Sequence, residues 1–184
     1  MPTAKPPAQA IAVLMELTRA LTKRGPLEDA LQAVTDAALE LLPADHASIR
    51  VLDESRTELL CGARSGAGQP HRPGAFRLGQ GVVGWVVEHE KPVRIGDTAR
   101  DDRFDSAAPP AWALRSLLVV PLWSSDRVVG ALGASSPEAH AFSAEHEVMA
   151  LLLANCAAPP IERVRLERLS ITCPLTLAYN CLLY

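Results

Sequence analysis

The stretch from Gly79 to Val120, GQGVVGWVVEHEKPVRIGDTARDDRFDSAAPPAWALRSLLVV, constrains the fold of this chain more than any other. Glycines at 79, 81 and 84 lie around a turn and the start of a short helix, Val82 to Glu88. GQGVVG matches a dinucleotide fingerprint only loosely and sits in no predicted βαβ unit, so tight turning and close helix–sheet packing are its expected roles. Val93 to Ile95 reads as a short strand. An irregular acidic loop follows from Asp97 to Ala111, carrying Arg103, Phe104 and Asp105. Arg115 and Ser116 then lead into a fully apolar strand ending at Trp123. Ser125-Asp126 is its turn and Val128 to Ala134 the return strand, so the pair forms a hairpin.

The remaining elements are read from periodicity. Ile11, Leu14, Leu17 and Leu21 recur at helical spacing between Ala8 and Lys23. Arg24-Gly25-Pro26 stops that helix and starts another, Leu27 to Leu42, with Leu27, Leu31, Val34, Ala38 and Leu41 on one face. Pro43 ends it. Ala47 to Asp53 alternates, with Ile49 and Val51 opposite Ser48, Arg50 and Leu52, which predicts a half-buried strand. Glu54-Ser55-Arg56 turns into a second strand, Leu59 to Ala63. Ser65 to Gly74 is a Gly/Pro-rich loop, and Ala75 to Leu78 a short strand. Ser143 is a good N-cap for the last long helix, whose first turn suits Glu145 and Glu147. Pro159-Pro160 should stop or bend that helix by Ala158, with a separate segment from Ile161. Adjacent antiparallel hairpins with helices gathered on one side imply an α+β fold. Residues 1–7 are expected to be disordered, 8–160 to form one domain, and 161–184 to be a helical linker.

Bulk properties exclude several classes. The net charge is −3 over 184 residues, and hydrophobic content is 48%, which supports a core without suggesting nucleic acid as a partner. No apolar run reaches the roughly 20 residues of a membrane helix, and no signal peptide is visible, so a cytoplasmic protein is expected. Cys61, Cys156, Cys173 and Cys181 lack the close paired spacing of zinc sites and read as free thiols. The histidines at 46, 71, 89, 140 and 146 show no metal spacing. No serine has a G-x-S-x-G setting.

Taken in order, LGQGVVGWVVEHEKPVRIGD, DDRFD, RSLLVVPLW and RVVGALGASSPEAHAFSAEHEVMALLLANCAA resemble the GAF domain, a sensory ligand-binding module. The resemblance runs from Leu27 to Ile161. It implies a six-stranded antiparallel sheet, helices behind it, a small-molecule pocket in front, and dimerisation through the terminal helices. The cyclic-nucleotide subset's constellation is matched only weakly, by Phe104 and Asp105. Bilin-binding relatives need a Cys-His pair, which this chain lacks. Relatives that reduce free methionine sulfoxide use cysteines in the loop and strand region, and none lies between Gly62 and Asn155. The tail CPLTLAYNCLLY resembles the entry segment of a diguanylate cyclase domain, with Cys173 where an Asp is usual; that implies a sensor belonging to a longer signalling protein.

A ligand pocket needs a mostly apolar lining with a few polar anchors. The candidates are Trp85, Arg94, Asp97, Phe104, Asp105, Trp112, Arg115, Ser116 and Trp123. All three tryptophans fall in this one region. Asp101, Asp102 and Asp105 read as a solvated acidic loop rather than a cation site. The expectation is a noncatalytic, homodimeric sensor of an unidentified small molecule, with no catalytic or metal-binding residue and no cofactor named. The alternatives are a free methionine-sulfoxide reductase and a pocketless dimerisation scaffold.

Overall fold

The computed structural model describes residues 7–23, 25–67, 75–102 and 113–171. In chain order the elements are α1 (Pro7–Thr22), α2 (Leu27–Leu41), β1 (His46–Leu52), β2 (Glu58–Gly66), β3 (Phe76–Arg77), α3 (Gly81–His89), β4 (Val93–Ile95), β5 (Ser116–Ser124), β6 (Arg127–Ser136) and α4 (Ala144–Ile171). A 3-10 turn at Thr98–Arg100 follows β4. The strands form one antiparallel sheet of six in the order β3-β2-β1-β6-β5-β4. The expected α+β fold is therefore observed, and the short strand expected near Ala75 is β3.

The sheet has two faces, and the chain treats them differently. On the back face α2 packs against β1 and β2, α4 packs against β5, and α1 lies on α2. Leu31, Val34, Ala38 and Leu41 of α2 are buried there, as their spacing predicts. Leu118, Val120 and Leu122 of β5 meet Leu153, Ala154 and Ala157 of α4 in the same core. A polar cluster ties α2 to β2: the buried Thr35 and Ser65 hydroxyls lie 2.7 Å apart, and Ser65 also donates to Asp36 at 2.5 Å. The front face of β5 and β6 is covered by α3, whose Val82, Val86 and Val87 are buried.

Glycines set the approach of α3 to the sheet. Gly79 and Gly81 have φ of 75° and 60°, which an L side chain rarely adopts. A Cβ on Gly84 would sit 2.6 Å from the Arg77 carbonyl oxygen, so α3 touches β3 backbone to backbone. The GQGVVG motif is accordingly a turn and a packing device.

Two expectations meet different outcomes in the helices. The break at Pro159-Pro160 is not observed: α4 continues through both prolines to Ile171. Each proline removes one helical hydrogen bond, orphaning the Asn155 and Cys156 carbonyls. Tertiary contact outweighs that loss, because Ala157, Ala158, Pro160 and Ile161 are buried along the sheet and α2. Asn155 and Pro159 are exposed, which leaves the first freed carbonyl open to water. In α1, Leu17 is buried, and Leu14 and Leu21 pack on their own domain's core. The outward apolar positions of this helix are Ile11 and Met15.

Candidate functional site

β1 is a central strand, flanked by β2 and β6. Its alternation sends Ala47, Ile49 and Val51 to the back, where a Cβ on Gly62 would meet both Leu31 and Val51. His46, Ser48 and Arg50 therefore share the front. The register places Arg64 opposite Ser48 and Cys61 opposite Arg50, the latter after a bulge between Ile49 and Arg50. Three basic side chains, His46, Arg50 and Arg64, are thus gathered on one covered face of an acidic protein.

Arg50 is only 9% exposed. Its guanidinium lies over the Phe76 ring, 4.2 Å from the centroid, a cation–π contact supplied by β3. Burial lowers its pKa, yet an arginine keeps its proton at any physiological pH. His46 is buried as well, and its Nδ1 lies 2.6 Å from the Ala67 carbonyl, to which it donates. Desolvation, reinforced by the charges of Arg64 and Arg50, lowers its pKa and favours the neutral ring. The floor beside these groups is made of small residues: Ala131 faces Arg50 and Gly133 faces Ser48 across the β1–β6 pairing. A Cβ placed on Gly133 would meet the Ser48 hydroxyl at 3.8 Å and Val119 at 3.9 Å, ordinary van der Waals distances.

Cys61 is the thiol of this face. Burial raises its pKa more than the neighbouring Arg50 and Arg64 lower it. A protonated thiol is a poor nucleophile. Among the described residues, no group of three His, Cys, Asp or Glu side chains could hold a metal ion.

The residues singled out from sequence distribute otherwise. Arg94 points to the back face, where its Nη1 is 3.9 Å from Glu147 Oε2 on α4. Asp97 accepts from the Ala99 amide and caps the 3-10 turn, and Arg115 donates to its other oxygen at 2.7 Å. Those bonds, Arg115 first, hold the Asp97 carboxyl below the usual carboxylate range. Ser116 is buried and donates to the Glu138 carbonyl. Trp85 stacks on His89 along α3, with centroids 4.2 Å apart. Trp123 packs against the core at the end of β5. Asp97 and Arg115 are thus brought together, as a brace for the loop entering β5. Phe104, Asp105 and Trp112 lie outside the described residues. Sequence reading passed over His46, Arg50, Arg64 and Phe76. The available signal was the alternation of His46, Ser48 and Arg50 along β1, a pattern that is the same on a buried face as on a solvated one.

A six-stranded antiparallel sheet with helices behind it and basic side chains on its front face defines an α+β domain. The GAF domain family model matches residues 25–162, and the chain belongs to that family. Solved structures agree in fold. The GAF domain of a phosphoenolpyruvate-protein phosphotransferase from Coxiella burnetii superposes with a TM-score of 0.78 at 24% identity, covering 87% of this chain and 96% of that one. Free methionine-R-sulfoxide reductase from Neisseria meningitidis, in complex with its substrate, gives 0.74 at 22% identity, over 90% and 96%. A GAF domain from A. aeolicus in an inactive state gives 0.71 at 19% identity, over 85% and 98%. At these identities the likeness concerns the fold alone. No helix among the described residues is long and apolar enough to cross a membrane.

Proposed function

We propose that this GAF domain is a noncatalytic, cytoplasmic sensor that binds a small molecule on the front of its sheet and passes that state to an output module. The observation that carries the reading is the set of basic side chains on a covered sheet face. Ionisable groups whose pKa values are shifted by burial and by neighbouring charge concentrate at binding sites. Binding would favour one arrangement of the front and bias the terminal helices, a population shift between two states. The resemblance of CPLTLAYNCLLY to a cyclase entry segment supports a diguanylate cyclase as that output. Native mass spectrometry of freshly purified protein tests the reading. A stoichiometric small-molecule adduct supports it; bare protein before and after incubation with a metabolite extract counts against it.

Reductase activity is the rival, since Cys61 lies on the front face. Turnover of free methionine sulfoxide in an NADPH-coupled thioredoxin assay would sink the noncatalytic reading. The raised pKa of Cys61 supports no turnover.

We also propose a homodimer. Ile11 and Met15 of α1 are 58% and 53% exposed, and Val148 and Leu152 of α4 are 59% and 46% exposed. Each pair is spaced one helical turn apart, and α1 and α4 touch. A second copy of the chain is the occupant that would cover this apolar strip.

A further inference from the structure

We propose that Glu162 is a latch that pins the C-terminal part of α4 to the β5–β6 hairpin, so that residues 161–171 form a separately releasable arm of the domain. The hairpin turns at Ser125-Asp126, with Ser125 in the left-handed region at φ 57°, and Ser124 pairs with Arg127 across the turn. Both flanking side chains reach the same carboxylate. Ser124 Oγ donates to Glu162 Oε2 at 3.2 Å, and Arg127 Nη2 lies 3.7 Å from Glu162 Oε1. Each carboxylate oxygen thus faces a different strand, and the helix is tied to both arms of the hairpin at once. Ser124 is buried, and hydrogen bonds to a charged acceptor are the stronger kind.

The place of Glu162 in α4 gives the tie its consequence. Pro159 and Pro160 carry no N–H, so two successive rungs are missing from the helical ladder just before it. Ala157, Ala158, Pro160 and Ile161 are buried, whereas Glu162, Arg163 and Val164 are only half-buried. Packing therefore thins where the latch begins. A segment with few buried contacts, joined through an interrupted ladder, opens as its own cooperative unit. The hairpin is packed by α4 on one side and by α3 on the other, so a shift of its strands under α3 reaches the arm through Glu162. The device is a property of the chain alone and does not depend on the sensor reading.

The test is hydrogen exchange by mass spectrometry on the whole chain with no ligand added. Glu162→Gln, which keeps the shape and removes the charge, should accelerate exchange in residues 161–171 by about 3- to 10-fold, the scale of a partly exposed ion pair with its hydrogen bond. Residues 144–154 should exchange as before. Arg127→Gln reaches the latch from the hairpin side and should act in the same direction. Arg94→Gln breaks the ion pair with Glu147 near the start of α4 and should leave residues 161–171 unchanged. Circular dichroism checks that each variant is folded. The proposal is overturned if residues 161–171 exchange as in the parent chain in both latch variants, if acceleration spreads evenly over α4, or if Arg94→Gln has the same effect. An arm released by Glu162→Gln in a protein that binds no small molecule would leave the latch standing and remove the sensor reading.

Discussion

His146 shows how one residue can set an acid limit on this fold. Ser143 Oγ accepts from the His146 amide at 3.3 Å, and His146 Nδ1 accepts from the Ser143 amide at 3.1 Å. This is a capping box with histidine in the place usually taken by glutamate. Nδ1 can accept only while unprotonated. Burial, against a smaller opposing effect of Glu145, lowers the His146 pKa from 6.5. The unfolded chain therefore takes up the proton first. The contribution is present above about pH 6.5 and is lost as pH falls through the lowered folded value. His46 shifts in the same direction and adds to the trend. Urea denaturation between pH 7.5 and 5 should show falling stability, a range set by the ordinary histidine pKa. His146→Gln, which keeps an acceptor, should flatten the slope; an unchanged slope would remove His146 from the account. Gly84 gives a second test at this scale. Gly84→Ala places a methyl against the Arg77 carbonyl and should cost roughly 1–3 kcal/mol by chemical denaturation. The role of Gly84 was legible in sequence because a motif showed it. Arg50 was not, because a lone alternating polar residue looks the same on a solvated face as on a roofed one.

At the scale of elements, α4 carries the main lesson. Proline arithmetic predicts a break, and the helix instead runs through Pro159 and Pro160. Propensity is a local cost of about 3 kcal/mol per interior proline; the burial of Leu153, Ala157 and Ile161 opposes it along the whole packed face. Pro159 is exposed, so Pro159→Ala should restore a backbone bond at little packing cost. We expect stabilisation of roughly 1–3 kcal/mol, read as a higher urea midpoint with unchanged slope. A destabilised variant would mean that the proline is required by the path of the helix. In α1 the periodicity located the helix but not its outward side. Leu14 and Leu21 are partly buried in their own domain, so replacing them would test folding rather than assembly. Ile11→Glu with Leu152→Glu is the cleaner pair. It should convert dimer to monomer by light scattering with circular dichroism unchanged, and a mass unaffected by both changes would refute the dimer.

For the whole molecule, element order, sheet type and the hairpin of β5 and β6 were legible because alternation, turn residues and uniform apolar runs leave direct marks. Sheet order was not, since β1 pairs with β6 across some 80 intervening residues, and no local pattern records that pairing. The site followed the same rule. Asp97 and Arg115 stood out as charged residues beside strong strands, and the fold uses them to brace a loop. The basic cluster arises only when β1 is inserted between β2 and β6 and its alternate side chains share one face with those of β2. The central claim is that the front face binds a small molecule and that the terminal helices respond. Hydrogen exchange by mass spectrometry, with and without a protein-free metabolite filtrate, tests it most directly. Slower exchange in β1, β2 and α3, accompanied by altered exchange in α1 or α4, is the predicted result. Identical exchange on the front face in both samples would contradict it.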